Sequence, residues 1–143
     1  MHREEQERKL RKIVSEVTVN KTDKLLDVGC GTGIAMDFFD CEKIGIDPSK
    51  ELLSKCKYPC VQGFAEKLPF EGNEFDIVIC LSAIHNFKDP EKAIKEMKRV
   101  GKNKFIITVF KKAKEFEKLV KLVKDNFNIK QELIDEHDYI LLT

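Results

Sequence analysis

The stretch Lys24-Leu25-Leu26-Asp27-Val28-Gly29-Cys30-Gly31-Thr32-Gly33 decides the fold of this 143-residue chain. Its first half, 24–28, is a short apolar run and predicts a buried strand, while the apolar segment 34–39 after the glycines predicts a short helix. Glycines between a strand and a helix permit a tight turn and let a ligand approach the backbone closely. Exposed N–H groups and the helix dipole at such a turn favour a carboxylate or a phosphate. The stretch therefore predicts a ligand-binding turn.

Apolar runs and amphipathic stripes alternate on both sides of this turn. Continuous apolar runs such as 75–81 are typical of parallel strands that helices cover on both faces. The alternation predicts an α/β domain with a mostly parallel sheet, and two final strands without a helix between them predict an antiparallel pair. The further predicted strands are 43–47, 59–63, 75–81, 104–110, 129–133 and 139–142, and the predicted helices are 3–17, 49–56, 90–100 and 112–126.

The charge composition excludes a strongly basic nucleic-acid binder. Lys and Arg number 26 and Asp and Glu 25, which leaves a net charge of +1, whereas phosphate binding needs a clear basic excess on one face. A local patch stays open: the run 111–114 predicts either a solvated helix start or a contact with phosphate or RNA. No apolar leader follows Met1, and no apolar run approaches the length of a membrane span, so we expect a cytoplasmic protein.

The five cysteines do not predict a disulfide framework, because their number is odd and the expected compartment is reducing. Cys56 and Cys60 are four residues apart and could share a helix face as two metal ligands. No second pair with ligand spacing accompanies them. Unreactive, buried thiols are therefore the favoured interpretation, and we predict no metal site.

Asp47 ends the second predicted strand, beside the glycine turn. A carboxylate at this place can accept hydrogen bonds from both ribose hydroxyls of a nucleoside ligand; the alternative is a turn residue before Pro48. We expect this carboxylate to lie at a loop edge, where its removal would leave the fold intact. A dinucleotide fingerprint is disfavoured, because its sixth position is Ile34 here and the third glycine comes one place early, at Gly33.

A series of segments in order carries a resemblance over residues 24–110. Asp27–Gly33 is followed by Ile46-Asp47-Pro48-Ser49, then by the segments 63–70, 75–78 and 84–90. Together they resemble the class I methyltransferases that use S-adenosylmethionine, particularly the type 11 group. The resemblance implies a three-layer α/β/α Rossmann-like sandwich whose seven-stranded sheet is mostly parallel, with the last strand antiparallel. It also implies one methyltransferase domain over 1–143, divided into an N-terminal helix (1–20), a cofactor-binding core (24–110) and a C-terminal helix with an antiparallel strand pair (111–143).

The resemblance implies a role for each matching position toward S-adenosylmethionine. The methionine part would lie against Gly29, Cys30, Gly31 and Gly33, with Asp27 holding either the loop or the amino group. Asp47 would bind the ribose, and Pro48 would cover the adenine, to which Ala65 would offer its backbone N–H. Leu81 and Ser82 would lie under the sulfonium. Phe64 departs from the pattern, because similar proteins commonly carry Asp there for the adenine amino group; Phe64 would either stack on the adenine or pack in the core.

The resemblance implies an S-adenosylmethionine-dependent methyltransferase that mainly positions its acceptor for an in-line displacement, with S-adenosylhomocysteine as the product. His85, which follows the fourth strand, is the candidate for acid–base catalysis, or else only shapes the pocket. The acceptor is unknown. A protein or RNA could cover an open site, or a partner, including a second copy, could complete it. A small molecule would require that a partner subunit or the N-terminal helix closes the site. The alternatives are a non-catalytic S-adenosylmethionine-binding module and, less favoured, a nicotinamide-dependent oxidoreductase.

Overall fold

A computed structural model describes residues 3–143, so that positions 1 and 2 of the predicted N-terminal segment lie outside the described residues. Seven strands form one sheet in the order β3-β2-β1-β4-β5-β7-β6. The first five run parallel, and β7 is antiparallel to both of its neighbours. This confirms the predicted sheet. The strands are β1 (Lys24–Val28), β2 (Glu42–Asp47), β3 (Cys60–Gln62), β4 (Phe75–Leu81), β5 (Gly101–Phe110), β6 (Gln131–Ile134) and β7 (Asp138–Leu142).

Helices cover both faces of the sheet, because strands that are apolar on both sides must be shielded from water on both sides. Two apolar cores result. One contains the buried stripe of α3 together with α4, and the other contains Ile13 of α1 together with Phe39. This is the three-layer arrangement that the sequence predicts. The helices are α1 (Arg3–Ser15), α2 (Lys50–Leu53), α3 (Pro90–Val100) and α4 (Phe116–Asn126), with short 3-10 turns at Ile34–Phe38 and Ile84–Asn86. Within residues 3–143, none of these helices is long and apolar enough to cross a membrane.

Four predicted helices are shorter than the sequence pattern indicates. The first, predicted over 3–17, ends at Ser15. The segment predicted as a helix over 34–39 is a single 3-10 turn over Ile34–Phe38. The helix predicted over 49–56 ends at Leu53, after a start that the Ser49 side chain caps by accepting the Leu52 N–H. The helix predicted from 112 begins at Phe116.

The early end of α2 overturns the expectation that Cys56 and Cys60 could share a helix face. Cys56 lies beyond the helix, whereas Cys60 opens β3. All five cysteines are free thiols; Cys30 and Cys80 are buried and the other three are half-buried.

The sheet brings the functional candidates together at one edge. Because β1, β2 and β4 are parallel neighbours, their carboxyl ends lie side by side. Val28, Asp47 and Leu81 are the last residues of these strands. Open α/β sheets bind ligands at this edge, and the glycine turn follows β1 directly.

Candidate cofactor site

Two adjoining cavities lie along this edge and share Gly29 and Leu52 in their walls. The first cavity has a volume of about 550 Å³ and the second about 310 Å³. The first is lined by Gly29, Asp47, Pro48, Leu52, Phe64, Ala65, Glu66, Ala83, Asn86, Phe87 and Lys88. The second is lined by Gln6, Lys9, Leu10, Asp27, Gly29, Cys30, Gly31, Thr32, Ile34, Ala35, Leu52, Leu81 and Ser82. Ten of the eleven predicted cofactor-binding residues line these cavities, and Gly33 is the exception.

The glycine turn is held against β2 by its own backbone. The N–H groups of Gly29 and Cys30 both donate to the Ile46 carbonyl, at 2.8 and 3.1 Å. Gly31 has a left-handed φ of 55°, and a Cβ added there would meet no atom nearer than 3.9 Å, at Leu52. Such a Cβ would make ordinary contact with Leu52, and Gly31 lines the second cavity, so glycine keeps the backbone accessible to a ligand here.

The Asp47 carboxylate fastens the turn from the other side. Its Oδ2 accepts the Gly31 N–H and its Oδ1 accepts the Ser49 N–H, each at 2.9 Å. Asp47 ends β2 beside the turn, as expected, but only 8% of it is exposed and its carboxylate holds the turn at two points. That the fold is intact without this carboxylate therefore stays a prediction. Each carboxylate oxygen still has a free lone pair, and Asp47 lines the first cavity. It can therefore accept hydroxyl groups from a ligand there.

Asp27 is a buried acid without a partner. Among residues 3–143, its Oδ2 is the one buried side-chain oxygen or nitrogen that has no hydrogen bond. Burial and, secondly, the nearby Asp47 carboxylate raise the pKa of Asp27 to about 7. Buried polar atoms are nearly always hydrogen-bonded in native proteins. Because Asp27 lines the second cavity, its free oxygen fits a cationic donor of a ligand.

The first cavity also has an apolar part of its wall. It includes Pro48, Leu52 and Phe64. Phe64 is 64% exposed, which excludes the alternative that it packs in the core. An exposed aromatic face in a cavity fits a planar ring by stacking. Ala65, predicted to meet the adenine through its backbone, is buried beside it and lines the same cavity.

The N-terminal helix forms a wall of the second cavity, an arrangement that the sequence left open without predicting which residues take part. Gln6, Lys9 and Leu10 of α1 line it. Lys9 is only 4% exposed and donates to Asp138 Oδ2 at 2.9 Å and to Ser82 Oγ at 3.0 Å. The sequence provides only a weak indication that Lys9 is buried, because Lys9 adjoins the apolar stripe of α1 but its partner Asp138 is 129 positions away.

Two predicted site residues lie outside both cavities. Gly33, with a φ of 83°, packs away from the cavities, and a Cβ there would come within 2.5 Å of Cys56 Sγ. His85 is exposed, and its ring stacks on Phe110 with a centroid distance of 5.7 Å. Neither residue lines either cavity. The cavities do include Leu81 and Ser82, as the sequence predicts.

Residues 26–108, more than half of the chain, match the family model described as a methyltransferase domain, of type 11. The chain belongs to this methyltransferase domain family. An uncharacterized methyltransferase of Schizosaccharomyces pombe is 37% identical over 105 residues, which cover 59% of this chain and 38% of the relative. A demethylmenaquinone methyltransferase of Chlorobaculum tepidum is 39% identical over 88 residues, which cover 55% and 36% of the two chains. The matched region thus spans less than half the length of these curated relatives.

Solved structures agree with the fold of the methyltransferase domain. A SAM-dependent methyltransferase from Aquifex aeolicus superposes with a TM-score of 0.79 at 16% identity, over 93% of this chain and 87% of that one. The YcgJ protein of Bacillus subtilis superposes with a TM-score of 0.69 at 29% identity, over 73% of this chain and 51% of that one.

The residues present fit S-adenosylmethionine, the cofactor of the family. The first cavity offers a carboxylate for ribose hydroxyls and an aromatic face for adenine, through Asp47 and Phe64. The second offers the unpartnered acid Asp27 for an ammonium group. Gly29, which lines both cavities, joins these groups along one edge of the methyltransferase domain.

Proposed function

We propose that this chain is a S-adenosylmethionine-dependent methyltransferase that transfers a methyl group to an acceptor by in-line displacement. The observation that carries the proposal is the pairing of two carboxylates with two adjoining cavities over the glycine turn. Asp47 faces the first cavity and the unpartnered Asp27 faces the second. The residues that line the two cavities are complementary to the two ends of a nucleoside joined to an amino acid.

Bound S-adenosylmethionine supplies an electrophilic methyl group on its sulfonium. The protein then has to hold the two reactants in line, because orientation lowers most of the barrier of such a displacement. Asp47 binds the ribose, Phe64 and Pro48 hold the adenine, and Asp27 binds the ammonium group. Leu81 and Ser82 form the wall of the second cavity at the end of β4.

We propose that the acceptor approaches from the side of His85 and Phe110. His85 lies beyond the carboxyl end of β4 and Phe110 is the last residue of β5, so both lie at the same edge as the cavities. His85 is exposed there and lines neither cavity, so a role as general base would concern the acceptor and not the cofactor. An acid–base role for His85 is needed only for acceptors that lose their proton early.

The position of α1 bears on the size of the acceptor. A small acceptor needs a site shielded from water, and α1 adds Gln6, Lys9 and Leu10 to the wall of the second cavity, which also includes Leu81 and Ser82 at the proposed sulfonium position. This wall supports a small-molecule acceptor, which the sequence alone ranks behind a protein or RNA. A demethylmenaquinone methyltransferase among the relatives is named for a small-molecule substrate. A cytoplasmic location stays a prediction from the sequence.

The deciding experiment is calorimetric titration of the purified chain with S-adenosylmethionine, S-adenosylhomocysteine and NAD. We expect the two sulfur nucleosides to bind and NAD not to bind. Absence of binding by both sulfur nucleosides would refute the proposal. Methyl-labelled cofactor incubated with cell extract then identifies the acceptor, since label in small molecules, protein or RNA can be separated by size and by nuclease or protease digestion.

The same two measurements distinguish the proposed enzyme from a non-catalytic module that only binds the cofactor. Such a module would bind S-adenosylmethionine and transfer no label to any fraction. None of the relatives named above supports this alternative, since their names describe methyltransferases. Transfer of label that disappears in an Asp47→Ala variant would exclude it.

A further inference from the structure

Lys9 places a buried positive charge in the wall of the second cavity. The residue is 4% exposed, and its Nζ lies 2.9 Å from Asp138 Oδ2 and 3.0 Å from Ser82 Oγ. The Ser82 hydroxyl in turn donates to Asp138 Oδ1 at 2.8 Å, and the Ser82 N–H donates to Thr108 Oγ1 at 2.7 Å. Four elements, α1, β4, β5 and β7, thus meet in one polar network beside the cavity.

This network is more than is needed to attach a helix. Apolar residues of similar volume usually attach an element as well as a buried ion pair does, because both charges must be stripped of water. Ser82 also adopts a left-handed φ of 54°, which is uncommon for a residue with a side chain and clusters at functional sites. Lys9 of this costly ion pair and the strained Ser82 both line the second cavity, which favours a contact with a ligand there.

The hydrogen-bond capacity of Lys9 is not exhausted. An ammonium group has three N–H donors, and Lys9 uses two, on Ser82 and Asp138. For the third, residues 3–143 provide no acceptor. The same cavity holds Asp27, whose Oδ2 has no donor. One cavity therefore carries a cation with a spare donor and an acid with a spare acceptor.

We propose that Lys9 binds the carboxylate of an α-amino acid group in the second cavity, with the Gln6 amide beside it, while Asp27 takes the ammonium group. The inference rests on the proposed function, because the amino acid in question is the methionine part of S-adenosylmethionine. It assigns α1 to cofactor recognition and makes Lys9 a binding residue. Asp138 and Ser82 act as positioning residues that fix the Lys9 ammonium at the cavity wall.

The experiment compares two ligands by calorimetry. S-adenosylhomocysteine carries both the ammonium and the carboxylate, whereas S-adenosyl-3-thiopropylamine keeps the ammonium and lacks the carboxylate. We expect the parent protein to prefer the first ligand by about tenfold to a hundredfold, the usual range for a charge-assisted hydrogen bond. In Lys9→Met this preference should fall to near one, while the amine ligand binds as it does to the parent.

A second variant guards against misfolding, because Lys9→Met leaves the Asp138 carboxylate buried without its ion-pair partner. Lys9→Met combined with Asp138→Asn removes both charges, and its ligand preference is measured on protein whose thermal unfolding remains cooperative. Lys12→Met is the matched control, since Lys12 lies on α1, is exposed and does not line the cavity. We expect the control to keep the full preference.

The outcomes separate the two proposals. An equal loss of affinity for both ligands in the Lys9 variants would show that Lys9 only attaches α1, and would overturn the inference. A parent protein that does not distinguish the ligands would overturn it as well. Binding of neither ligand to the parent would refute the proposed function and, with it, the inference.

Discussion

Asp27→Asn should make the protein more stable and a poorer binder of its cofactor. The pKa of Asp27 is raised from 3.8 to about 7 by burial and by Asp47, and each pKa unit corresponds to about 1.4 kcal/mol. Ionised Asp27 therefore destabilises the free folded protein by about 4 kcal/mol at alkaline pH. Asn has a similar shape and no charge, so the variant avoids this destabilisation.

The sign of the pH dependence follows from proton linkage. The folded pKa of Asp27 lies above the unfolded value, so that the folded state binds the extra proton between pH values of about 4 and 7. The free energy of unfolding of the parent should consequently fall as the pH rises through this window. Between about pH 5 and about pH 8, the titration of Asp27 lowers the free energy of unfolding by roughly 2 to 3 kcal/mol.

The assay is urea unfolding of parent and variant, followed by circular dichroism, at both pH values. The difference between the two proteins isolates Asp27, because all other titrating groups are common to both. The exposed Asp40→Asn is the control and should follow the parent. Calorimetry with S-adenosylhomocysteine should show weaker binding to Asp27→Asn by about tenfold to a hundredfold. Parallel stability curves for parent and Asp27→Asn would refute the argument for a buried, unpartnered acid.

Asp47→Ala should weaken cofactor binding at least tenfold and also lower the melting temperature, because its carboxylate holds the glycine turn. Phe64→Ala should weaken binding by about 1 to 3 kcal/mol in calorimetry, with an unchanged melting temperature since the ring is exposed. Gly33→Ala should destabilise the fold by about 1 to 3 kcal/mol in urea, because of its positive φ and the contact with Cys56; an added Cys56→Ala should restore part of the loss. His85→Gln should lower kcat by about a hundredfold or more if it is the base, with cofactor affinity unchanged.

For each of these predictions, a specific result would contradict the reasoning. Asp47→Ala protein that melts like the parent would show that the backbone bonds alone hold the turn. A less stable Phe64→Ala protein would contradict the exposure of the ring, and Gly33→Ala protein as stable as the parent would contradict the packing around Cys56. An unchanged kcat in His85→Gln would remove His85 from the mechanism.

Strands were predicted more accurately than helices, and the reason is local. The apolar runs of β1 and β4 are bounded by residues that end strands, so that 24–28 and 75–81 were predicted with their observed bounds. The helix 90–100 was also predicted correctly, since Pro90 opens it and the Asp89 side chain caps it by accepting the Lys92 N–H. The segment 34–39 was misjudged, because its apolar pattern fits a helix, whereas the chain there forms only a 3-10 turn.

The site was predictable where a motif marks it and not where distant segments meet. The glycine turn and Asp47 are adjacent to strands whose edge the sequence already defines. Closure of the site by α1 was considered, but the contribution of Lys9 was missed, because a lysine beside an apolar stripe normally extends to water. Only the fold brings Lys9 to Ser82 and Asp138.

The Lys9–Asp138 pair also orders events during folding. The two residues are 129 positions apart, so that closing the loop between them is among the slowest kinds of contact to form. During synthesis α1 emerges first, yet its partner strand β7, which inserts between β5 and β6, emerges only after the other six. The glycine turn can therefore assemble on β1, β2 and β4 while α1 is still undocked, and the wall over the second cavity is added at the end. In pulsed hydrogen exchange, amides of α1 should gain protection together with those of β7 and later than those of β1.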